Sequence, residues 1–320
     1  MIFALSGQSI LKTTPKSVGF VVAILCASHA WAHDNPAPFA PPVVVGQLVE
    51  PRNKEASGLA PSRRTDDLLW THNDSGGEPV LFGLATDGSV RGAIHVEGVR
   101  NTDWEELASF ELDGQAMLLI ADTGNNFATR SICVLHVVPE PDPSQLAPGR
   151  FIVVKPSYSI HFVFEDGARD CEAVAVDPEE RAIYLLSKRD VPARLYRLPL
   201  QAASEAAPAA ARLVGTVPHL PQPVGLQRMV PSPLFGLRGQ PTAMDFANDG
   251  RSALVLLYGG PVLFLRRENE SWADALAREP IALPAFKLPQ AEAACFSRDQ
   301  RSFYVTSEQK PELLRYERLP

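Results

Sequence analysis

Short apolar runs, rich in Val, Ile, Leu, Phe and Tyr, recur along this chain and are broken by Gly, Asp, Asn and Pro. Long stretches with a helical period are scarce, so the pattern predicts an all-β chain. The runs also repeat as units. Each unit has a strand that starts near an acidic residue, a very apolar second strand and a third strand, with polar turns between them. The first unit comprises Glu55–Ala60, Leu68–Asn73 and Val80–Leu84; the second, Trp104–Ala108, Met117–Asp122 and Ile132–Val138. The third comprises Cys171–Asp177, Ile183–Lys188 and Arg194–Leu198; the fourth, Thr242–Ala247, Ala253–Tyr258 and Val262–Arg266; the fifth, Glu292–Ser297, Ser302–Glu308 and Glu312–Tyr316.

Fourth strands follow four of the units, at Gly92–Glu97, Tyr158–Phe164, Arg212–Val217 and Pro280–Leu283. The fifth unit has none, and Val43–Val49 is a spare strand that can supply it. Repeats of this length predict a single β-propeller of five four-stranded blades over residues 43–320. Pairing the N-terminal strand with the last blade closes the ring and removes a sheet edge. A sixth blade within Pro218–Gln240 is the alternative; the prolines there argue against it.

The first 32 residues read as a signal peptide. Lys12 and Lys16 precede the apolar run Val18–Ala27, and Ala30-Trp31-Ala32 fits a cleavage site. The apolar run is shorter than the roughly 20 residues that span a bilayer. Residues 33–42 (HDNPAPFAPP) read as an extended, poorly ordered proline-rich tether. The expectation is therefore a periplasmic or secreted protein, cleaved near Ala32, without a membrane span.

Removing residues 1–32 takes two lysines and no acids from totals of 30 Lys+Arg and 37 Asp+Glu. That leaves 28 against 37, a net charge of −9. With no Lys/Arg block, this balance excludes nucleic acid as a partner. Cys133, Cys171 and Cys295 remain, an odd count that allows one internal disulfide at most; none is expected. The chain is read as a monomer.

In a propeller the start of each first strand and the exit of each second strand lie at one mouth. Glu55, Glu105, Glu172 and Glu292 hold the starts in four units, with Thr242 in the remaining one, the fourth. Asp103 shares a face with Glu105, and Asp170 with Glu172. The exits carry His72-Asn73-Asp74, Asp122 with Asn125 and Asn126, Lys188, Tyr258 and Glu308. Two like charges about 4 Å apart repel by roughly 4 kcal/mol at an effective dielectric of about 20. Such a ring calls for a bound cation, raised carboxylate pKa values or compensation by Lys188 and Arg169. Oxygen-rich donors favour a hard divalent cation, calcium above all. The expected metal ligands are Asp103, Glu105, Asp122, Asp170 and Glu172, with Asn73 and Asp74. Ligand contacts are expected from Glu55, His72, Asn125, Asn126, Lys188, Tyr258, Glu292 and Glu308. The alternative role for the glutamates is hydrogen bonding to backbone amides across blades.

The stretches Trp70–Gly77 (WTHNDSGG), Asp103–Ala108 (DWEELA), Ala121–Asn126 (ADTGNN) with Arg130, Glu165–Ala173 (EDGARDCEA), Leu185–Lys188 (LLSK) and Glu292-Ala with Thr306–Glu308 (TSE) carry a resemblance. They resemble a family of exported bacterial propellers of largely unassigned function, described as phytase- or esterase-like. The resemblance implies a propeller with a polar axial site open to metal-dependent chemistry. Two positions depart from the family. Asn125 stands where Asp is usual, and Leu256-Leu257 precedes Tyr258 where Arg-Thr is usual. The expected function is binding of a small ligand or peptide at an acidic axial site in the cell envelope. The alternative is a metal-dependent hydrolase of phosphoesters or lactones. No residue is singled out as catalytic.

Overall fold

The computed structural model describes residues 38–222 and 238–320. Residues 1–32, read as a signal peptide, residues 33–37 and most of the segment considered for a sixth blade lie outside them. The described chain is nearly all β. Strand β1 (Val43–Gln47) precedes β2 (Ala56–Pro61), β3 (Leu68–Asn73), β4 (Val80–Ala85) and β5 (Val90–Val96). Next come β6 (Trp104–Leu112), β7 (Gln115–Asp122), β8 (Cys133–Pro139), β9 (Phe151–Val154) and β10 (Tyr158–Phe164). They are followed by β11 (Cys171–Asp177), β12 (Ala182–Ser187), β13 (Ala193–Pro199) and β14 (Ala209–Val217). The last are β15 (Pro241–Phe246), β16 (Ser252–Leu257), β17 (Gly260–Leu265), a short helix α1 (Trp272–Leu276), β18 (Ile281–Ala282), β19 (Ala291–Phe296), β20 (Ser302–Ser307) and β21 (Glu312–Glu317).

These strands form antiparallel meanders at the positions of the sequence repeats. β2 to β5 make one sheet, β15 to β18 a second, and β19 to β21 a third that β1 completes by pairing antiparallel with β21. β6, β7, β8 and β10 join β11 to β14 in one eight-stranded sheet, because β14 runs parallel beside β10. Strand β9, absent from the sequence reading, adds to β5 in parallel. The five first strands lie side by side: β2 against β6, β6 against β11, β11 against β15, β15 against β19 and β19 against β2. Five apolar clusters fill the spaces between neighbouring meanders. Trp70, Ile94 and Leu107 belong to one, for example, and Leu119, Phe162, Ile183 and Tyr196 to the next.

Each first strand carries a bulge at the same place, where one residue is skipped in the pairing with its neighbour. The skipped residues are Ser57, Glu105, Glu172, Thr242 and Glu292. A bulge breaks strict side-chain alternation and re-aims the extra residue. In the first unit the equivalent position is therefore Ser57. Glu55, assigned to it from the sequence, lies before β2 and is exposed.

Cys133, Cys171 and Cys295 are buried and free. No helix among the described residues is long and apolar enough to cross a membrane.

Of the tether expected to be poorly ordered, the described part, Pro38–Pro42, docks on the last meander. Phe39 is only 1% exposed. Its ring meets Phe303 edge-on at 4.9 Å, and the Arg318 guanidinium lies over it at 5.0 Å from the centroid. Ala40 N–H donates to Glu317 O at 2.8 Å. A proline-rich composition does not prevent docking when an aromatic side chain within it finds a core. Phe39→Ala should therefore destabilise the protein by about 3 kcal/mol or more, measured by urea denaturation. An unchanged midpoint would show that this anchor contributes nothing.

Candidate functional site

The bulges and second-strand exits gather acidic side chains at one end of the central space. Asp74, Asp103 and Glu105 bring one oxygen each within 4.8 Å of one another. Asp74 follows β3, and the other two flank Trp104 at the start of β6. Oδ1 of Asp74 is buried and has no hydrogen-bond partner. Gly124, in the turn after β7, makes the room. A Cβ on it would stand 2.1 Å from Glu105 Oε1 and 2.5 Å from Asp103 Oδ2, so no other residue fits without moving the carboxylates.

Electrostatics at this trio are unfavourable without a cation. Burial, then Asp103, Glu292 and Glu55, push Asp74 up to about 7. Burial also raises Asp103, opposed by Arg130. Glu105 is raised well above the usual carboxylate range, by burial first and then by Glu172 and Asp74. The donor set is entirely carboxylate oxygen, which fits a hard divalent cation.

A second group, Glu105, Asp170 and Glu172, also lies within 4.8 Å, but protein cations have largely filled it. Asp170 accepts from Asn125 N–H at 2.9 Å and from Arg189 Nε at 2.7 Å. Glu172 Oε1 pairs with Lys188 Nζ, which is 7% exposed. Lys188 also donates to the Tyr258 hydroxyl at 3.1 Å, and that hydroxyl donates to Glu292. Glu308 is raised by burial and by its hydrogen bond to Glu292. Glu172, Lys188, Tyr258, Glu292 and Glu308 thus form one connected polar network. Within it, Oε2 of Glu172 is left buried and unpartnered.

The remaining sequence candidates sit nearby with other partners. Asp122 accepts from Arg130 Nη1 at 2.5 Å and from Thr102 N–H at 3.1 Å. Asn73 holds the turn before β2, accepting from Lys54 and Glu55 N–H and donating to Arg52 O at 2.7 Å. Asn125 accepts from Thr129 and Arg130 N–H and donates to Arg130 O. Exposed Asn126 accepts from Arg189. His72 is fully buried, donates from Nδ1 to Asn73 O and meets Trp104 edge-on at 5.5 Å. Burial lowers it to about 4, so it is neutral and enclosed.

Three central residues went unread in the sequence. Glu106 follows the bulge in β6, where the other first strands have Gly58, Ala173, Ala243 or Ala293. Its carboxylate accepts from Leu107 N–H and from Met244 N–H of β15, both at 3.0 Å. One large acid among four small residues at a single repeat position is the signal that could have found it. At the other end Arg63 donates to Ser109 O and to Asn248 Oδ1. Asp245 accepts from Phe296 N–H at 2.9 Å.

No family model matches the chain, and no curated protein matches it. Among solved structures, a gluconolactonase from Xanthomonas campestris is 13% identical, with TM-score 0.43 over 89% of this chain and 96% of that one. The PQQ-bound form of an aldose sugar dehydrogenase from Streptomyces coelicolor is 12% identical, with TM-score 0.45 over 88% of this chain and 99% of that one. Neither likeness bears on the chemistry of this chain.

Protonation of the raised acids sets a pH dependence. A carboxyl whose folded pKa lies above its unfolded value stabilises fully below the unfolded value and loses that contribution as pH rises through the folded one. For Asp74 the window runs from 3.8 to about 7. The metal-free protein should therefore lose stability between about pH 4 and pH 7, and Asp74→Asn should flatten the fall. Urea midpoints across that range, equal in slope for variant and wild type, would contradict this.

Proposed function

We propose that the chain is an exported five-bladed β-propeller whose acidic mouth binds a divalent cation, calcium before others, and with it a small oxygen-bearing ligand. The carrying observation is the Asp74–Asp103–Glu105 trio, gathered against Gly124 with one buried oxygen unpartnered. The five adjacent first strands support the blade count, and the β1–β21 pairing supports closure by the N-terminal strand. Membership of the exported bacterial family rests on the motifs. Export, cleavage near Ala32 and a periplasmic or secreted location rest on the N-terminal residues alone.

In this reading the ligand set is smaller than the one expected from the sequence. Asp74, Asp103 and Glu105 would hold the cation. Asp170 and Glu172 are already paired with Arg189 and Lys188. Asp122 and Asn73 serve neighbouring loops.

A second reading, metal-dependent hydrolysis, is favoured by Glu172. Its free oxygen is buried beside Glu105, and its carboxyl is raised by burial first and then by Glu292, against the pull of Lys188. That free oxygen is a place where a proton could be exchanged with a bound substrate or water. A bound divalent cation polarises a substrate oxygen and lowers the pKa of a coordinated water. Of the candidate substrates, an uncharged lactone or ester suits this mouth better than a phosphoester, because acids still outnumber Lys188 there.

Calcium at a hundredfold excess over Kd should stabilise the protein by about 2.7 kcal/mol. Asp103→Asn or Glu105→Gln should remove most of that gain. Asp122→Asn should lower stability through loss of the Arg130 pair yet leave the gain intact. Thermal melts with calcium and with chelator measure all three. No response to millimolar calcium would take the cation out of this reading.

A further inference from the structure

A cleft opens on the seam between the first and last units. Asn53 and Lys54, just before β2, line one side of it. Ser307, Glu308, Gln309 and Lys310, in the turn after β20, line the other. Its volume is about 90 Å³, room for about three waters or one small polar group.

Both walls are fixed by bonds of their own. On the first, Asn73 accepts from Lys54 and Glu55 N–H and donates to Arg52 O at 2.7 Å. Asp74 N–H donates to Glu55 O at 2.9 Å. On the second, Glu308 N–H donates to Gln290 O at 3.2 Å, and Gln309 N–H to the Ser307 hydroxyl at 3.1 Å. Leu48 N–H donates to Pro311 O at 2.7 Å. Two of these residues tie the cleft to the mouth. Asp74 belongs to the acidic trio, and Glu308 to the network that runs through Glu292 and Tyr258 to Lys188.

The cleft is cationic where the mouth is acidic. Lys54 and Lys310 are both exposed. Lys310 stands 4.0 Å from Glu312, and Lys54 has no carboxylate within salt-bridge reach among the described residues. Glu308 adds no charge at neutral pH, because burial and then its bond to Glu292 push it up to about 10. Nδ2 and Oδ1 of Asn53 are buried without a partner. Unpaired buried polar atoms are rare enough to need an account, and an acceptor brought by a ligand supplies one for Nδ2.

We propose that this cleft is a carboxylate subsite, where Lys54, Lys310 and Asn53 hold the acid group of a small organic acid bound at the mouth. The proposal rests on the ligand site proposed above and adds the class of ligand, but the cleft itself needs no metal ion. Glu55 and Asp74 border it, so a singly charged anion meets less repulsion there than a phosphate dianion does. Fixed walls cost little ordering when the anion enters.

Acetate tests the cleft by itself, at neutral pH with chelator present and ionic strength held constant. The side-chain amide signals of Asn53 in nitrogen–proton correlation spectra report on the site. Acetate should shift them to saturation, and acetamide, its neutral isostere, should bind about fivefold or more weakly. Lys54→Met and Lys310→Met keep the aliphatic stems and should each weaken acetate about twofold to fivefold, the size of one exposed ion pair. The double variant should lose about tenfold, whereas Lys287→Met, an exposed lysine elsewhere, should change nothing. Melting temperatures should match the wild type, since all three side chains are exposed. Acetamide binding as well as acetate, phosphate binding better than acetate, or a double variant with wild-type affinity would overturn the proposal. Acetate binding without any calcium response would remove the cation reading and leave the subsite standing. Calcium binding without acetate would do the reverse.

Discussion

A sheet that starts at the middle of a molecule has an edge there, and its backbone N–H and C=O groups face a space that water reaches poorly. Leaving one such group unpaired costs about 1–3 kcal/mol. Here the edges of the first strands are satisfied by side chains from other meanders. The Ser57 hydroxyl donates to Glu105 O, and Thr242 donates to Ala291 O. Asp245 accepts from Phe296 N–H, Glu106 reaches from β6 to Met244 N–H, and Arg63 donates to Ser109 O. These bonds link the first, second, fourth and fifth meanders through their backbones, and the Thr123 hydroxyl, donating to Cys171 O, ties in the third. A buried polar centre is therefore a condition of the fold before it is a feature of any site.

That condition separates structural acids from functional ones. Glu106 and Asp245 spend their oxygens on backbone amides, and Asp170 spends its own on an amide and an arginine. Asp122 is held by Arg130. What remains is Asp74, Asp103, Glu105 and one oxygen of Glu172. They are crowded, raised in pKa and without protein donors equal to their capacity. Compensation is uneven around the mouth. Lys188 and Arg189 serve the third unit, whereas the trio between the first and second units has no protein cation of its own within salt-bridge reach among the described residues.

Much of this was legible in the sequence, because a meander writes its strands as alternating apolar runs and polar turns. The spare strand at Val43 and the incomplete last unit were complementary on paper, and β1 does pair with β21. Strand β9 was not legible. Its four residues lie in a proline-bounded connection and form a strand only because β5 offers an edge in parallel. Phe39 was masked by the prolines around it. The misplacement of Glu55 has a geometric origin: the bulge adds one residue per first strand, and an acid two positions early looks equivalent until the pairing register is known. Proximity could be inferred from repeat position, but hydrogen-bond partners could not. Asp122 and Asn73 therefore read like Asp103 although they serve their own loops.

The departure at Asn125 makes sense in these terms. Its amide donates to Arg130 O while its carbonyl oxygen accepts from Thr129 and Arg130 N–H, so donor and acceptor are both used. An Asp there would keep the acceptor, lose the donor and set a charge against a carbonyl oxygen. It would also stand beside Asp170, which already accepts from the Asn125 backbone N–H. Arg130 is committed to Asp122 and could not neutralise both. In this chain Asn therefore suits the loop better than Asp. The residue that departs from the resemblance is the brace that holds Gly124 against Asp103 and Glu105, and so keeps open the space a cation would need.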